Sequence, residues 1–174
     1  KLVFGRQAYV IHQRAFGIDP TPVYPPRIRP TVTEEITLPG DENDDRILLG
    51  ILYGLVEKCA RRLRSRALFS RKAGLVFRYA DQVEVTRQTT LPHGSFWDLD
   101  LYGPLEKIFL KACQRRVGVR FMRVWFQNFS ASSFQLPLFP AALPDVEKKT
   151  LMTHALDRIR ERHGDEAIKY GRAA

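Results

Sequence analysis

The sequence predicts an α+β fold of the split βαβ, ferredoxin-like kind: a four-stranded sheet with two helices packed on one face. Three observations predict it. Between residues 29 and 129, β-rich and helical runs follow in the order strand, helix, strand, strand, helix, strand (βαββαβ). Both helical runs are apolar on one side only, so each must bury a stripe against something flat. The two middle strands are separated only by Asp81-Gln82, which makes them a hairpin.

Each element has its own local reason. Residues 1–17 read as the end of a helix, with Ala8, Ile11 and Ala15 at helical spacing and Gly17 as the stop. Residues 18–28 hold Pro20, Pro22, Pro25 and Pro26, which exclude a helix or a central strand and leave an extended linker. The domain proper is expected over 29–129. Thr31, Val32, Thr33, Ile36 and Thr37 make the first strand, from Arg29 to Leu38, with Pro39-Gly40 as its end. Asp44 or Asp45 caps a helix that runs to about Arg66. Its stripe is Leu48, Ile51, Leu52, Leu55, Val56, Cys59 and Leu63, and Arg61, Arg62, Arg64 and Arg66 suit its C-terminal dipole.

From 71 to 80, Ala73, Leu75, Phe77 and Tyr79 alternate with Lys72, Gly74 and Arg78, as a half-buried strand does. The return strand spans 83–90 and is expected to stop at Pro92-His93-Gly94. A second helix covers about 96–115, with Leu99, Leu105, Ile108, Phe109 and Ala112 apolar and Pro104 limiting or kinking its first part. The last strand is 117–126, with Val119 and Phe121 set against Arg120. Residues 130–144 read as an extended tail, and 145–174 as a charged helix followed by a short end.

Bulk properties narrow the function. The chain has 174 residues, suiting one compact domain with extensions, and begins at Lys1 rather than Met, as a cut fragment does. It is 44% hydrophobic and 27% charged, enough for a core. Its 28 Lys and Arg against 19 Asp and Glu give a net charge of +9, which favours an anionic partner such as nucleic acid. No apolar run reaches the roughly 20 residues that a spanning helix needs, and no signal peptide is visible. Cys59 and Cys113 fall inside helical stripes and read as reduced core residues.

Two constellations carry chemistry. Arg29, Arg71, Lys72, Arg78, Arg87, Arg115, Arg116, Arg120 and Arg123 fall on strands or strand ends. Guanidinium forks recognise phosphate, and Thr31 and Thr33 are small enough to let backbone approach. The expected DNA-binding set is Arg29, Thr31, Thr33, Arg71, Lys72, Arg78, Arg87, Arg120 and Arg123. The second constellation is Gln135-Leu136-Pro137-Leu138-Phe139. Its apolar anchors Leu136, Leu138 and Phe139, oriented by the Gln135 amide, suit a partner's pocket.

No catalytic or metal residues are expected. Asp41, Glu42, Asp44 and Asp45 lie at a loop and helix start and read as capping groups; Asp98 and Asp100 read as first-turn acids. His12, His93, His154 and His163 share no site spacing, and there is no Gly-rich phosphate loop.

These segments, taken in order, resemble the C-terminal region of Y-family translesion DNA polymerases of the DinB/ImpB/MucB/SamB type. Arg14-Ala15-Phe16-Gly17-Ile18-Asp19-Pro20-Thr21-Pro22-Val23 resembles the thumb end and linker. Glu35-Ile36-Thr37-Leu38-Pro39, Leu75 to Tyr79 with Asp81, Thr90-Leu91-Pro92, and Arg116-Val117-Gly118-Val119-Arg120 resemble strands of the little finger. Gln135 to Phe139 is similar to the bacterial clamp-binding peptide, and Leu156 to Gly164 with Ala167-Ile168 to the tail that follows. The sequence departs from the pattern at Pro30, which removes an N–H from the first strand, and at Pro137 in the peptide.

The resemblance implies a little finger that grips primer–template duplex with little base reading, in translesion synthesis and DNA repair, and a tether to the β sliding clamp. It implies no cofactor in these residues, and Mg²⁺ only in a palm that lies outside them. It also implies a bacterial cytoplasmic setting, a monomeric fragment and no membrane partner. Two other readings share the same residues: the little finger of a catalytically inactive Y-family accessory protein, and a free ferredoxin-like module that binds RNA or protein.

Overall fold

The computed structural model describes residues 5–22, 30–130, 143–164, 167–168 and 171, with backbone alone for residue 6 and for 143–147. A 3₁₀ turn, Gly5–Gln7, leads into α1, Ala8–Ala15, which has no buried residue. The helix stops where Gly17 takes a positive φ of 77° and its N–H reaches the Arg14 carbonyl. The domain then follows as β1 (Val32–Glu42), α2 (Asp45–Ser65), β2 (Phe69–Tyr79), β3 (Glu84–Ser95), α3 (Asp98–Ala112) and β4 (Val119–Ser130), and α4 (Leu143–His163) comes last.

The element order is the expected βαββαβ, and every strand pair is antiparallel, in the order β1-β4-β2-β3. Each crossover is a split βαβ: β1 and β2 run parallel with β4 between them, and β3 and β4 run parallel with β2 between them. The edges are therefore β1 and β3. Helix α2 packs over β1 and β4, α3 over β3 and β2, and the two helices pack together.

The apolar stripe of α2 drives this arrangement. Leu48, Leu52, Leu55, Val56, Cys59 and Leu63 are all buried, and the N-cap Asp44 accepts a hydrogen bond from the Arg46 N–H at 2.8 Å. Ala73, Leu75, Phe77 and Tyr79 of β2, with Met122, Val124 and Phe126 of β4, face the helices and are inaccessible to solvent. Phe77 meets Phe109 of α3 edge-on at 5.5 Å. Each of the Leu, Val, Phe and Met side chains among them contributes about 1.5–3 kcal/mol of burial.

Several local expectations are corrected by tertiary position. Strand β1 continues through Pro39-Gly40, with an irregular register between Thr37 and Glu42, and β3 continues through Pro92-His93-Gly94. Both prolines lie on edge strands, where a missing N–H need not cost a ladder bond. Strand β4 runs on to Ser130, and α3 ends earlier, at Ala112, with Pro104 inside it. Leu99 is exposed, and Leu101, Tyr102, Leu105 and Phe109 form the buried stripe of α3. Val119 and Phe121 lie on opposite faces, because the β2–β4 register shifts between them.

Candidate nucleic-acid interface

The antiparallel register sorts the helix-free face of the sheet into rows that cross all four strands. From one end, the rows are Thr31–Gln127–Lys72–Thr90, Thr33–Trp125–Gly74–Gln88, Glu35–Arg123–Val76–Thr86 and Thr37–Phe121–Arg78–Glu84. Alternation alone places these side chains together, since cross-strand partners share a face. Val76 and Phe121 are buried yet belong to this face and not to the helix-side core.

The two lower rows are built around Phe121. The guanidiniums of Arg78 and Arg123 lie 4.9 and 5.2 Å from its ring centroid. Each is also matched to a carboxylate: Arg123 Nε donates to Glu35 at 2.6 Å, and Arg78 lies 3.5 Å from Glu84. Nearby, Arg120 pairs with Asp41 at 3.0 Å. All six of these side chains are 39–52% exposed. Exposed pairs of this kind are worth about 0–1 kcal/mol, so an incoming phosphate can take the guanidinium at little cost.

Lys72, Arg78 and Arg123, with Thr31 and Thr33, are thus brought to one face. Thr33 already donates its hydroxyl to the Val124 carbonyl at 3.0 Å. Arg71 is exposed where the β2 register slips between Ser70 and Lys72. Arg87 lies opposite Leu75, which turns it to the helix-bearing side, and its Nη1 donates to the Thr86 carbonyl at 2.9 Å. Arg29, and the peptide residues Gln135, Leu136, Leu138 and Phe139, fall outside the described residues. At the hairpin turn Arg115 donates to Asp81 at 2.6 Å, and that hydrogen bond holds the Asp81 carboxyl below its usual range.

A second charged constellation links the helices α2, α3 and α4, and sequence reasoning did not single it out. Arg64 of α2 is buried; its Nε and Nη2 donate to Asp157 of α4 at 2.6 and 2.9 Å, and its Nη1 donates to Asp98 at 2.9 Å and to the Phe96 carbonyl at 3.0 Å. Arg160 of α4 donates to Glu57 at 2.6 Å and to the Ile168 carbonyl at 3.2 Å. Burial works against the Arg64 cation, but Asp157 and Asp98 outweigh it and raise its pKa. Glu57 is pushed above the ordinary carboxylate range by burial, against the pull of Arg160. The sequence did hold a signal: Glu57 and Arg64 stand seven apart on one side of α2, and Asp157 and Arg160 three apart on one side of α4.

Both thiols are shifted away from the thiolate. Burial pushes the Cys59 thiol up to about 12, and Cys113 is raised by partial burial. Among the described residues, no three His, Cys, Asp or Glu side chains come together as metal ligands, and no helix is long and apolar enough to cross a membrane.

Comparison with known proteins agrees with this architecture. The impB/mucB/samB family C-terminal domain matches residues 29–138. A DNA polymerase IV of Desulfatibacillum aliphaticivorans is 29% identical over 170 residues, covering 95% of this chain and 42% of its own. DNA polymerase IV 1 of Bacillus subtilis is 26% identical over 176 residues, covering 98% of this chain and 42% of its own. The chain thus spans less than half the length of the curated relatives it matches. Among solved structures, a Y-family DNA polymerase chimera superposes with a TM-score of 0.53 at 16% identity, covering 74% of this chain and 36% of its own. A DinB family error-prone DNA polymerase from Sulfolobus solfataricus gives 0.51 at 16% identity, covering 70% and 36%. These two superpositions establish the shared fold, and the family match over more than half of the sequence establishes membership: the chain belongs to the impB/mucB/samB family and carries its C-terminal domain.

Proposed function

We propose that this chain is the duplex-gripping little finger and tail of a Y-family DNA polymerase of the DNA polymerase IV kind, acting in translesion synthesis and DNA repair in a bacterial cytoplasm. The observation that carries the reading is the Arg78–Phe121–Arg123 stack on the helix-free sheet face. The ring holds both guanidiniums along the surface, and their single exposed carboxylates can be exchanged for phosphates. Such contacts follow the backbone and are indifferent to the base, so a damaged template passes as readily as an intact one. On this reading nucleotidyl transfer, with its Mg²⁺, belongs to the family's palm, and the 174 residues act as a monomeric grip.

The tether is the second part of the proposal. Gln135, Leu136, Leu138 and Phe139 engage the β sliding clamp, with the apolar side chains as anchors and the Gln amide setting orientation. Two measurements test the two parts separately. Binding of primer–template duplex across a salt series is expected to weaken and flatten in Arg78→Ala/Arg123→Ala, by about one unit of log–log slope per lost phosphate contact. An unchanged slope would place the grip elsewhere. Replacing Gln135, Leu138 and Phe139 with Ala is expected to abolish clamp binding and leave duplex binding intact; clamp affinity equal to that of the parent chain would refute the tether.

A further inference from the structure

The other end of the sheet face has features that a phosphate clamp does not need. Trp125 packs across Gly74, and a Cβ at position 74 would overlap its indole ring. The ring is half-buried, whereas Phe121 is enclosed by two arginines. Lys72 Nζ lies 5.9 Å from the Trp125 ring centroid. Of the three cations on this face, Arg78 and Arg123 are matched to Glu84 and Glu35, and Lys72 to the aromatic ring alone among the described contacts. Beside it opens a cleft of about 390 Å³ lined by Pro30, Lys72, Gln127, Asn128 and Phe129. That size suits a small organic ligand. Asn128 holds a left-handed φ of 58° at the cleft wall, and Gln127 donates to Thr31 at 3.0 Å.

A half-open indole, a cation without a carboxylate, two amides and a cleft form the equipment for stacking one base, holding its phosphate and touching its edge. We propose that Trp125, Lys72 and the adjoining cleft bind a single unpaired nucleotide of a DNA strand, with the base stacked on Trp125 and its phosphate at Lys72. This rests on the reading that the helix-free face meets DNA, and adds that one end of it holds single-stranded DNA by its bases. Arg78 and Arg123 then follow duplex backbone at the opposite end, and the two ends together place a duplex-to-single-strand junction along the sheet.

The test uses the 174-residue chain and three DNA probes: a blunt duplex, the same duplex with a single-stranded overhang, and the same overhang with abasic sugars. The normal overhang is expected to bind about ten-fold more tightly than the abasic one, the size of one base–aromatic stack. It is also expected to quench indole emission in the parent chain and not in Trp125→Leu. Trp125→Leu keeps Gly74 covered and removes the π face, so it should equalise the two overhangs while leaving blunt-duplex affinity within about two-fold. Trp125→Phe should retain part of the preference, which guards against a folding artefact in the Leu variant. Equal binding of normal and abasic overhangs by the parent chain would overturn the nucleotide site and leave the duplex grip standing. Failure to bind even blunt duplex would overturn both.

Discussion

The molecule uses arginine in two regions in opposite ways. On the helix-free sheet face Arg78 and Arg123, and beside it Arg120, each meet one carboxylate at the surface, with side chains 39–50% exposed. Between the helices Arg64 and Arg160 are 4–6% exposed and share three carboxylates, two of them from α2 and α3 and one from α4. The first arrangement is cheap to break, and the second is not. Removing one partner from a buried pair leaves an uncompensated charge, whereas removing one from an exposed pair leaves a solvated one. Exchangeable arginines suit a transient polyanion; locked arginines fix α4 against α2.

The largest effect expected from this contrast is at Arg64. Arg64→Ala strands Asp98 and Asp157 in the helical layer and should cost about 3–5 kcal/mol in urea unfolding. Arg123→Ala in the same assay should cost under about 1 kcal/mol. Equal losses would erase the distinction between the two regions. Next comes the second buried pair. Arg160→Met alone should destabilise by a few kcal/mol, and adding Glu57→Leu should recover most of it, because replacing both charges with apolar side chains removes the stranded carboxylate. A double-mutant cycle with no coupling would mean that Arg160 acts mainly through the Ile168 carbonyl.

Smaller effects sharpen the same comparison. Burial raises Glu57 above its ordinary value of 4.5. Between that ordinary value and the raised one, the folded chain holds a proton that the unfolded chain has released. Stability from this group is therefore greatest at acid pH and falls as pH rises through the raised value. Glu57→Gln should remove that component of the pH slope, read from urea unfolding between pH 4.5 and neutrality. Cys59, with its thiol pushed up to about 12, should resist alkylation in the folded chain and react only on unfolding, while the half-buried Cys113 reacts sooner.

How much was legible beforehand follows from the range of each interaction. The stripe from Leu48 to Leu63 and the alternation from Ala73 to Tyr79 are local periodicities; both sets are buried as their spacing requires, except that Ile51 is only partly so. The basic face was legible in part: Lys72, Arg78 and Arg123 alternate onto it, while Arg87 has the opposite parity on β3 and turns away. Asp98 was read as a first-turn acid. It does sit in the first turn of α3, but it also faces Arg64, 34 residues earlier in the chain. Trp125 over Gly74 was invisible, because those residues meet only through the β2–β4 register.

By itself the sequence determined the element order, the amphipathic faces and the excess of positive charge, since all three are written in neighbouring residues and depend on backbone periodicity alone. Only the tertiary structure decided the strand order β1-β4-β2-β3, which made Pro39 and Pro92 edge residues and kept their strands intact. It also decided which arginines stay exchangeable and which are locked, because that depends on partners as far apart as Arg64 and Asp157, separated by 93 residues. Burial, and not residue type, sets the worth of a charge, and burial exists only once the chain has folded.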